Sequence, residues 1–263
     1  MSDAWQNGAR YQAYIGRWSG PVAAAFVRWL SLPQGGSWLE VGCGTGALTE
    51  RILALAVPAA VVAVDASEGY LAHARQAIPD ARVRFEVADA RRIPVEDSSE
   101  DAAVSGLVLN FVPDCERMVA EMARAVRPGG TVAVYVWDYA GRMELLRHFW
   151  DAAAALDPAA SELDEGRRFP ICAPEALGDL WRRARLEAVE LLPIDVPTKF
   201  RDFEDYWEPF LGGQGPAPGY VASLDERRRR KLHERLRSVI PTTSTGGIEL
   251  VARAWAVRGT RAP

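Results

Sequence analysis

The residues with chemistry to offer cluster around one turn near the start of the chain. Leu39-Glu40-Val41 runs directly into Gly42-Cys43-Gly44-Thr45-Gly46. Glycines at alternate positions after a strand let the backbone turn tightly and approach a ligand with no Cβ in the way. The helix that follows would offer unpaired N–H groups and a positive dipole end, which suit a carboxylate or a phosphate. The loop alone therefore leaves the ligand open, and the spacing Gly42-x-Gly44-x-x-Ala47 also admits a dinucleotide reading. Three carboxylates narrow the choice. Glu40 precedes the loop, inside the end of its strand; a charge there repels a pyrophosphate but can accept hydrogen bonds from a cationic amino acid. Asp65 ends the next apolar run and can accept from both hydroxyls of a ribose, though nicotinamide-binding domains place an acid there too. Asp89 ends a third run, where it can accept from an exocyclic amine. A ligand carrying an ammonium, a ribose and an adenine amine along the strand ends satisfies all three acids, and S-adenosylmethionine (SAM) is such a ligand.

Few other residues promise chemistry. Of His73, His148 and His233, only His148 stands where a general base is plausible, in the helix after the fifth apolar strand; it can titrate near neutrality. The competing reading is a packing or surface histidine. Cys43, Cys115 and Cys172 are far apart and form no CxxC pair, so neither a disulfide framework nor a zinc site is expected, and Asp138 alone makes no magnesium site. The expected metal set is none. The run Arg227-Arg228-Arg229-Arg230-Lys231 resembles a nucleic-acid patch. Leu232, Leu236, Val239 and Ile240 recur at helical spacing beside it, so a helix with one buried face is expected instead.

The elements that must hold these residues follow from apolar runs and caps. Strands are expected at Ser37–Val41, Val61–Val64, Val83–Val87, Ala102–Leu109 and Thr131–Trp137. Between them lie helices at Ala47–Ala56, from a Ser67 cap to about Ala77, and from an Asp114 cap to just before Pro128-Gly129-Gly130. Continuous apolar strands alternating with helices indicate a parallel sheet covered on both faces. Later, Arg142–Leu156 and Pro174–Arg185 read as helices, and Glu187–Val196 and Ile248–Val257 as strands. Residues 197–247 differ in composition: aromatic at first (Phe200, Phe203, Tyr206, Trp207, Phe210), then Gly/Pro-rich, then charged. They read as an insertion that forms a cap. The charge of −4 gives no field that attracts polyanions, so no nucleic-acid partner is expected. No apolar run approaches the length of a membrane span, and residues 1–10 carry no apolar signal core. A cytoplasmic location is the default expectation; the oligomeric state is not legible.

Taken together, the motifs resemble those of class I SAM-dependent methyltransferases, in the broad group that includes small-molecule and quinone-biosynthesis enzymes. Leu39–Gly46 is similar to the family's first motif, Val62–Asp65 to its second-strand acid, Val87-Ala88-Asp89-Ala90 to its adenine motif, Leu107–Phe111 to its fourth-strand motif, and Val126–Gly130 to the turn before strand five. The resemblance covers roughly residues 37–138, in order and spacing. It implies a Rossmann-like α/β fold with a seven-stranded, mostly parallel sheet in the order 3-2-1-4-5-7-6, strand seven antiparallel, helices on both faces and a helical cap. It implies a cofactor set of Glu40, Gly42, Cys43, Gly44, Gly46, Asp65, Ala66, Ser67, Ala88, Asp89, Ala90, Asn110 and Phe111. Tyr14 and Arg17 would join from the N-terminal segment, Arg17 by pairing with the SAM carboxylate. The family builds its substrate pocket from such a segment and from late insertions, so residues 1–36 are expected as a helical cap segment and 37–263 as the SAM-binding domain. Tyr11, Ile15 and Trp18 would help exclude water from a sulfonium. Asn110 is followed by Phe111-Val112-Pro113, not by the Pro-Pro-aromatic signature of amino-group methyltransferases acting on adenine or glutamine. The expected function is methylation of a small organic molecule at O, N or C. Two alternatives stand beside it: a SAM-binding enzyme of non-methylating chemistry, such as a cyclase or decarboxylase, and a SAM-binding module without catalysis.

Overall fold

A computed structural model describes residues 16–212 and 215–263. Its sheet has seven strands: β1 Ser37–Val41, β2 Ala60–Asp65, β3 Val83–Val87, β4 Glu100–Gly106, β5 Val126–Trp137, β6 Leu186–Phe200 and β7 Ile248–Arg261. Their order is β3-β2-β1-β4-β5-β7-β6, with β7 antiparallel, the Rossmann-like arrangement of the methyltransferases. Pairs β1–β2, β1–β4, β2–β3 and β4–β5 are parallel. The α-helices are α1 Ser19–Leu30, α2 Ala47–Leu55, α3 Glu68–Ala77, α4 Cys115–Ala125, α5 Glu144–Leu156, α6 Glu165–Arg168, α7 Pro174–Arg183, α8 Phe203–Trp207, α9 Pro216–Ser223 and α10 Glu226–Val239.

The chain divides into two compact units. One comprises Ser19–Val136, Ile171–Ile194 and Ala254–Pro263; the other holds Trp137–Pro170 and Asp195–Arg253, with the short 3-10 turn Gly16–Trp18. In the first unit the inner strands bury apolar runs, as strands covered on both faces must: Trp38, Leu39 and Val41, then Val61–Val64, Ala102–Val104 and Val132–Val136, with Glu40 and Ser105 as buried polar exceptions. Edge strand β3 lacks this cover, and its Val87 is 54% exposed. Helix α1 packs against α2 in this same unit, and its Phe26 ring meets Tyr135 at 4.7 Å. The second unit is built on aromatic packing. Phe149 of α5 stacks on Phe210 at 4.5 Å, and the buried Tyr206 hydroxyl donates to the Leu145 carbonyl at 3.1 Å. Helix α10 packs on α5 and buries Leu232 and Leu236.

Most expected elements form where the sequence places them. Ser67 caps α3 by accepting from the Tyr70 N–H, and Asp114 caps α4 by accepting from the Arg117 N–H. Four expectations need correction. Strand β4 ends at Gly106 rather than Leu109, because Leu107 adopts φ 62° and Leu109–Phe111 turn into a 3-10 helix; Leu109 is buried there without extending the sheet. Strand β5 begins at Val126, so Pro128-Gly129-Gly130 sits inside it as an irregularity opposite Glu100 and Ala102. A Cβ on Gly130 would lie 2.6 Å from the Asp101 carbonyl, so this close approach requires glycine. Strand β6 runs on to Phe200, past the expected start of the insertion, with Pro193 and Pro197 exposed on an edge strand where no ladder partner needs their N–H. In α10, Val239 is 42% exposed and Ile240 is buried in its place, since the helix stops at Val239. The short helices between Pro158 and Cys172 were not legible, their apolar residues being too few to show a period.

Candidate functional site: the glycine turn and its acids

The turn after β1 is held by the strand beside it. The N–H groups of Gly42 and Cys43 both donate to the Val64 carbonyl, at 2.7 and 3.0 Å. Gly42, Gly44 and Gly46 take φ values of 74°, 54° and 95°, a left-handed conformation that an L side chain resists. The three glycines nonetheless serve different ends. A Cβ on Gly42 would lie 2.6 Å from both Val108 methyls, and one on Gly46 would lie 2.4 Å from Ile78 Cδ1. Those two are needed for packing. A Cβ on Gly44 would meet nothing within 4 Å, so this is the point where the backbone faces open space and a ligand can come close.

Glu40 lies beneath the turn, 1% exposed. Its Oε2 accepts from the Thr49 hydroxyl at 2.6 Å. Burial pushes its carboxyl up to about 8, against the opposing effect of the Thr49 bond. A cation arriving at Glu40 would reverse that balance and favour the carboxylate. Cys43 is buried as well, and burial drives its thiol far above the usual range, so it has packing value rather than nucleophilic value.

Asp65 ends β2 as expected and braces the site. Its Oδ2 accepts from the Gly44 N–H at 2.9 Å and its Oδ1 from the Ser67 N–H at 2.8 Å. Each oxygen keeps a second lone pair, so a diol can add to these bonds. Ala66 is exposed beside it, and the Ser67 hydroxyl is engaged as the α3 cap. Asp89 differs. Arg91 grips it on both oxygens, Nε to Oδ1 at 2.9 Å and Nη2 to Oδ2 at 2.6 Å, and its backbone N–H adds a third bond at 2.8 Å. The Arg91 guanidinium holds the Asp89 carboxyl down to about 2. Asp89 is exposed, flanked by the half-buried Ala88 and Ala90, and an incoming amine must share it with Arg91. In the 3-10 helix that follows β4, both amide atoms of Asn110 are buried and without a hydrogen-bond partner. Phe111 follows, 37% exposed.

These residues fit SAM on three counts: an opening over Gly44, an acid beneath it that a cation would ionise, and an orphaned amide at Asn110. All of them belong to the first unit. Arg17 and His148 belong to the second. The Arg17 guanidinium lies over the Phe200 ring at 4.5 Å and over Trp18 at 4.8 Å, with Nη1 at 3.9 Å from Asp205 Oδ1. His148 is half-buried on α5, and burial lowers its pKa, opposed by Glu144 and Asp151. No hydrogen bond to another described residue orients its ring. Tyr11, Tyr14 and Ile15 lie outside the described residues. Among the described residues no group of three or more His, Cys, Asp and Glu is arranged to hold a metal. Thr49 and Arg91, which set the state of two of the acids, were not singled out from the sequence. Arg91 two residues after Asp89 was a readable signal; Thr49 needed the helix to be placed first.

Residues 39–134 match the model of a family described as a methyltransferase domain. A trans-aconitate 2-methyltransferase of Variovorax paradoxus is 32% identical over 162 residues, which is 62% of this chain and 61% of that protein's length. The YcgJ protein of Bacillus subtilis has a similar fold, with a TM-score of 0.61 at 14% identity, covering 92% of this chain and 99% of that one. So has phosphoethanolamine N-methyltransferase 2 of Haemonchus contortus, solved in complex with SAM, with a TM-score of 0.58 at 16% identity over 92% of this chain and 52% of that one. The motifs from the glycine turn to β5, the matched domain and the sheet order make residues 39–134 similar to the class I SAM-dependent methyltransferases, and the chain spans less than two thirds of the length of the curated relative described above.

Proposed function

We propose that the protein transfers a methyl group from SAM to O, N or C of a small organic acceptor. The observation that carries this reading is the trio at the strand ends: Gly44 open to approach, Glu40 buried below it and Asp65 braced beside it. SAM, when bound, supplies a methyl group already activated on a sulfonium. The protein's part is binding, alignment and exclusion of water. Glu40 accepts hydrogen bonds from the donor's ammonium and becomes ionised as it does so. Asp65 accepts from the ribose hydroxyls without releasing the N–H groups of Gly44 and Ser67. Asp89 accepts from the adenine amine alongside Arg91, and Asn110 meets the ligand with an amide that nothing else engages. A general base is needed only where the acceptor atom carries a proton of high pKa. His148 is the candidate for an auxiliary base, held neutral by burial, and the reaction depends on it weakly.

Cys43, Cys115 and Cys172 form no disulfide, which suits a reducing cytoplasmic setting, and no helix among the described residues is long and apolar enough to cross a membrane. Calorimetry with SAM, S-adenosylhomocysteine (SAH) and NAD tests the site: tight SAH binding and no NAD binding are expected. A screen of metabolite acceptors tests the reaction. Formation of SAH together with a product heavier by one CH2 is expected, whereas SAM binding with turnover and no methylated product would transfer the protein to a non-methylating class.

A further inference from the structure

The basic run Arg227–Lys231 has no part in the donor site. It lies on the first turns of α10, and its members differ in what they meet. Arg230 is paired with Glu226 one turn back, and Arg229 Nη2 donates to the Leu224 carbonyl at 3.4 Å. Arg228 Nε stands 3.8 Å from Asp225 Oδ2, beyond hydrogen-bonding distance, and Lys231 has no partner among the described residues. These two open cations are three positions apart, on one face of the helix, and both line a cavity of about 330 Å³ that the rest of the run does not reach. The cavity lies wholly within the second unit, where the end of α5, the turn after it, α9 and the start of α10 come together. Its base is apolar: Leu232, Leu224 and Tyr220 are 1%, 8% and 9% exposed. The Tyr220 ring is held edge-to-face on Phe149 at 6.4 Å and tilted on Trp150 at 6.0 Å, and its hydroxyl engages no other described residue. Leu156, the last residue of α5, leaves its apolar side chain 46% exposed in the cavity wall. One carboxylate lines the cavity as well: Asp157, whose Oδ1 accepts from the Ala159 N–H at 3.1 Å as the cap of the following turn.

An exposed leucine or an unpaired surface cation is ordinary when it stands singly. Here both meet on one concave space with an apolar base, the setting in which a few polar groups orient an otherwise apolar ligand. We propose that this cavity binds a monocarboxylate with a hydrocarbon body, its carboxylate held by Arg228 and Lys231 and its body resting on Leu156, Tyr220, Leu224 and Leu232. The size of the body follows from the volume: about 330 Å³ is the space of about eleven waters at about 30 Å³ each, so a chain of roughly eight carbons fits within it. The single charge follows from the lining. Two cations and one carboxylate leave the cavity one positive charge, which a carboxylate neutralises and a phosphate monoester, carrying nearly two charges at neutral pH, exceeds. Asp157 also keeps the anion to the α10 side of the cavity, by like-charge repulsion. The site goes beyond the methyltransferase reading and does not depend on it, since none of the residues assigned to the donor lines it.

The test titrates the full chain by calorimetry with butanoate, hexanoate, octanoate, octan-1-ol and octyl phosphate. Octanoate is expected to bind at one site, with affinity rising about two- to fourfold for each CH2 along the acid series. Octan-1-ol, which lacks the charge, should bind at least about tenfold more weakly than octanoate, and octyl phosphate more weakly as well. Arg228→Gln and Lys231→Gln should each weaken octanoate about three- to tenfold; both side chains are exposed, so the fold is expected to tolerate either change. Arg230→Gln, on the same helix but off the cavity, should leave binding as it is. Location has its own readout, because the chain has two lysines, Lys199 and Lys231. Octanoate should slow acetylation of Lys231 and not of Lys199, followed by mass spectrometry. A wild type that does not bind octanoate overturns the proposal, as does an acid series with no dependence on length. Octan-1-ol binding as well as octanoate removes the anion seat, and octyl phosphate binding more tightly removes the assignment to a carboxylate. Equal losses in Arg230→Gln and Arg228→Gln, or equal protection of both lysines, would show a diffuse basic surface in place of a site.

Discussion

The glycine turn and the aromatic unit solve opposite problems. The turn must leave space, and does so with backbone: three left-handed glycines, two spent on packing against Val108 and Ile78 and one on an open approach. The aromatic unit must fill space, and does so with side chains, Phe149 on Phe210 and Tyr206 onto the Leu145 carbonyl. The first depends on conformations that few residues can adopt, so its sequence is nearly dictated. The second depends on volume, which many combinations of residues can supply. Their electrostatics differ as well. Glu40 is fully buried with one hydroxyl partner, whereas the Arg17 guanidinium is half-buried against the Phe200 and Trp18 rings.

That contrast can be broken at several points. Phe149→Ala should produce the largest loss of stability, about 3–5 kcal/mol for a fully buried aromatic truncated in a packed cluster, read from chemical denaturation. A cost under about 1 kcal/mol would show that the aromatic unit is loosely packed. In the turn the largest effect should be on ligand rather than fold. Asp65→Ala removes charge-assisted bonds to the donor, each worth about 1.5–3 kcal/mol, and frees the Gly44 N–H besides. Calorimetry with SAH measures this, and unchanged affinity would remove Asp65 from the site.

The two readings of glycine can be separated directly. Gly42→Ala combines backbone strain of about 1–2 kcal/mol with a clash on Val108, so it should lower stability and SAH affinity together. Gly44→Ala meets nothing in the protein and should cost only the strain, yet weaken SAH at least as much as Gly42→Ala does. Equal stability losses in the two variants would contradict the division of labour.

Glu40 supplies a pH test. Its folded carboxyl, at about 8, lies above its ordinary value, so the folded state holds the proton longer than the unfolded chain. The stability tied to that proton is complete below the unfolded pKa and is lost as pH rises toward 8. Glu40→Gln should flatten this slope. Donor binding that ionises Glu40 must also release a proton near neutrality, visible as a dependence of the SAH binding enthalpy on buffer ionisation, which Glu40→Gln should abolish. The smallest effect is expected at His148, where His148→Ala should alter turnover little and leave SAH affinity intact. A fall of about 10²–10⁴-fold would make His148 the base and point to an acceptor atom of high pKa.

How legible each part was follows from how local its determinants are. Strands β1, β2 and β3, the caps at Ser67 and Asp114, and the placement of Glu40, Gly42–Gly46, Asp65 and Asp89 at strand ends could be read directly, because an apolar run, a capping residue and a left-handed glycine each act within a few residues of themselves. The end of β4 could not, because Leu107 leaves the strand with its N–H donating to the Tyr135 carbonyl, a partner 28 positions away. Nor could the path of β5 through Pro128-Gly129-Gly130, since only the closeness of the Asp101 carbonyl makes glycine necessary there. Which residues are acids, and where along the strands they stand, follows from the sequence by itself. Tertiary structure alone decided their states: Glu40 is protonated up to about 8 because the fold buries it, and Asp89 is held near 2 because Arg91 closes on it. A pKa and an unmet hydrogen bond both depend on desolvation and on partners brought in from elsewhere in the chain, and neither is a property of a residue and its immediate neighbours.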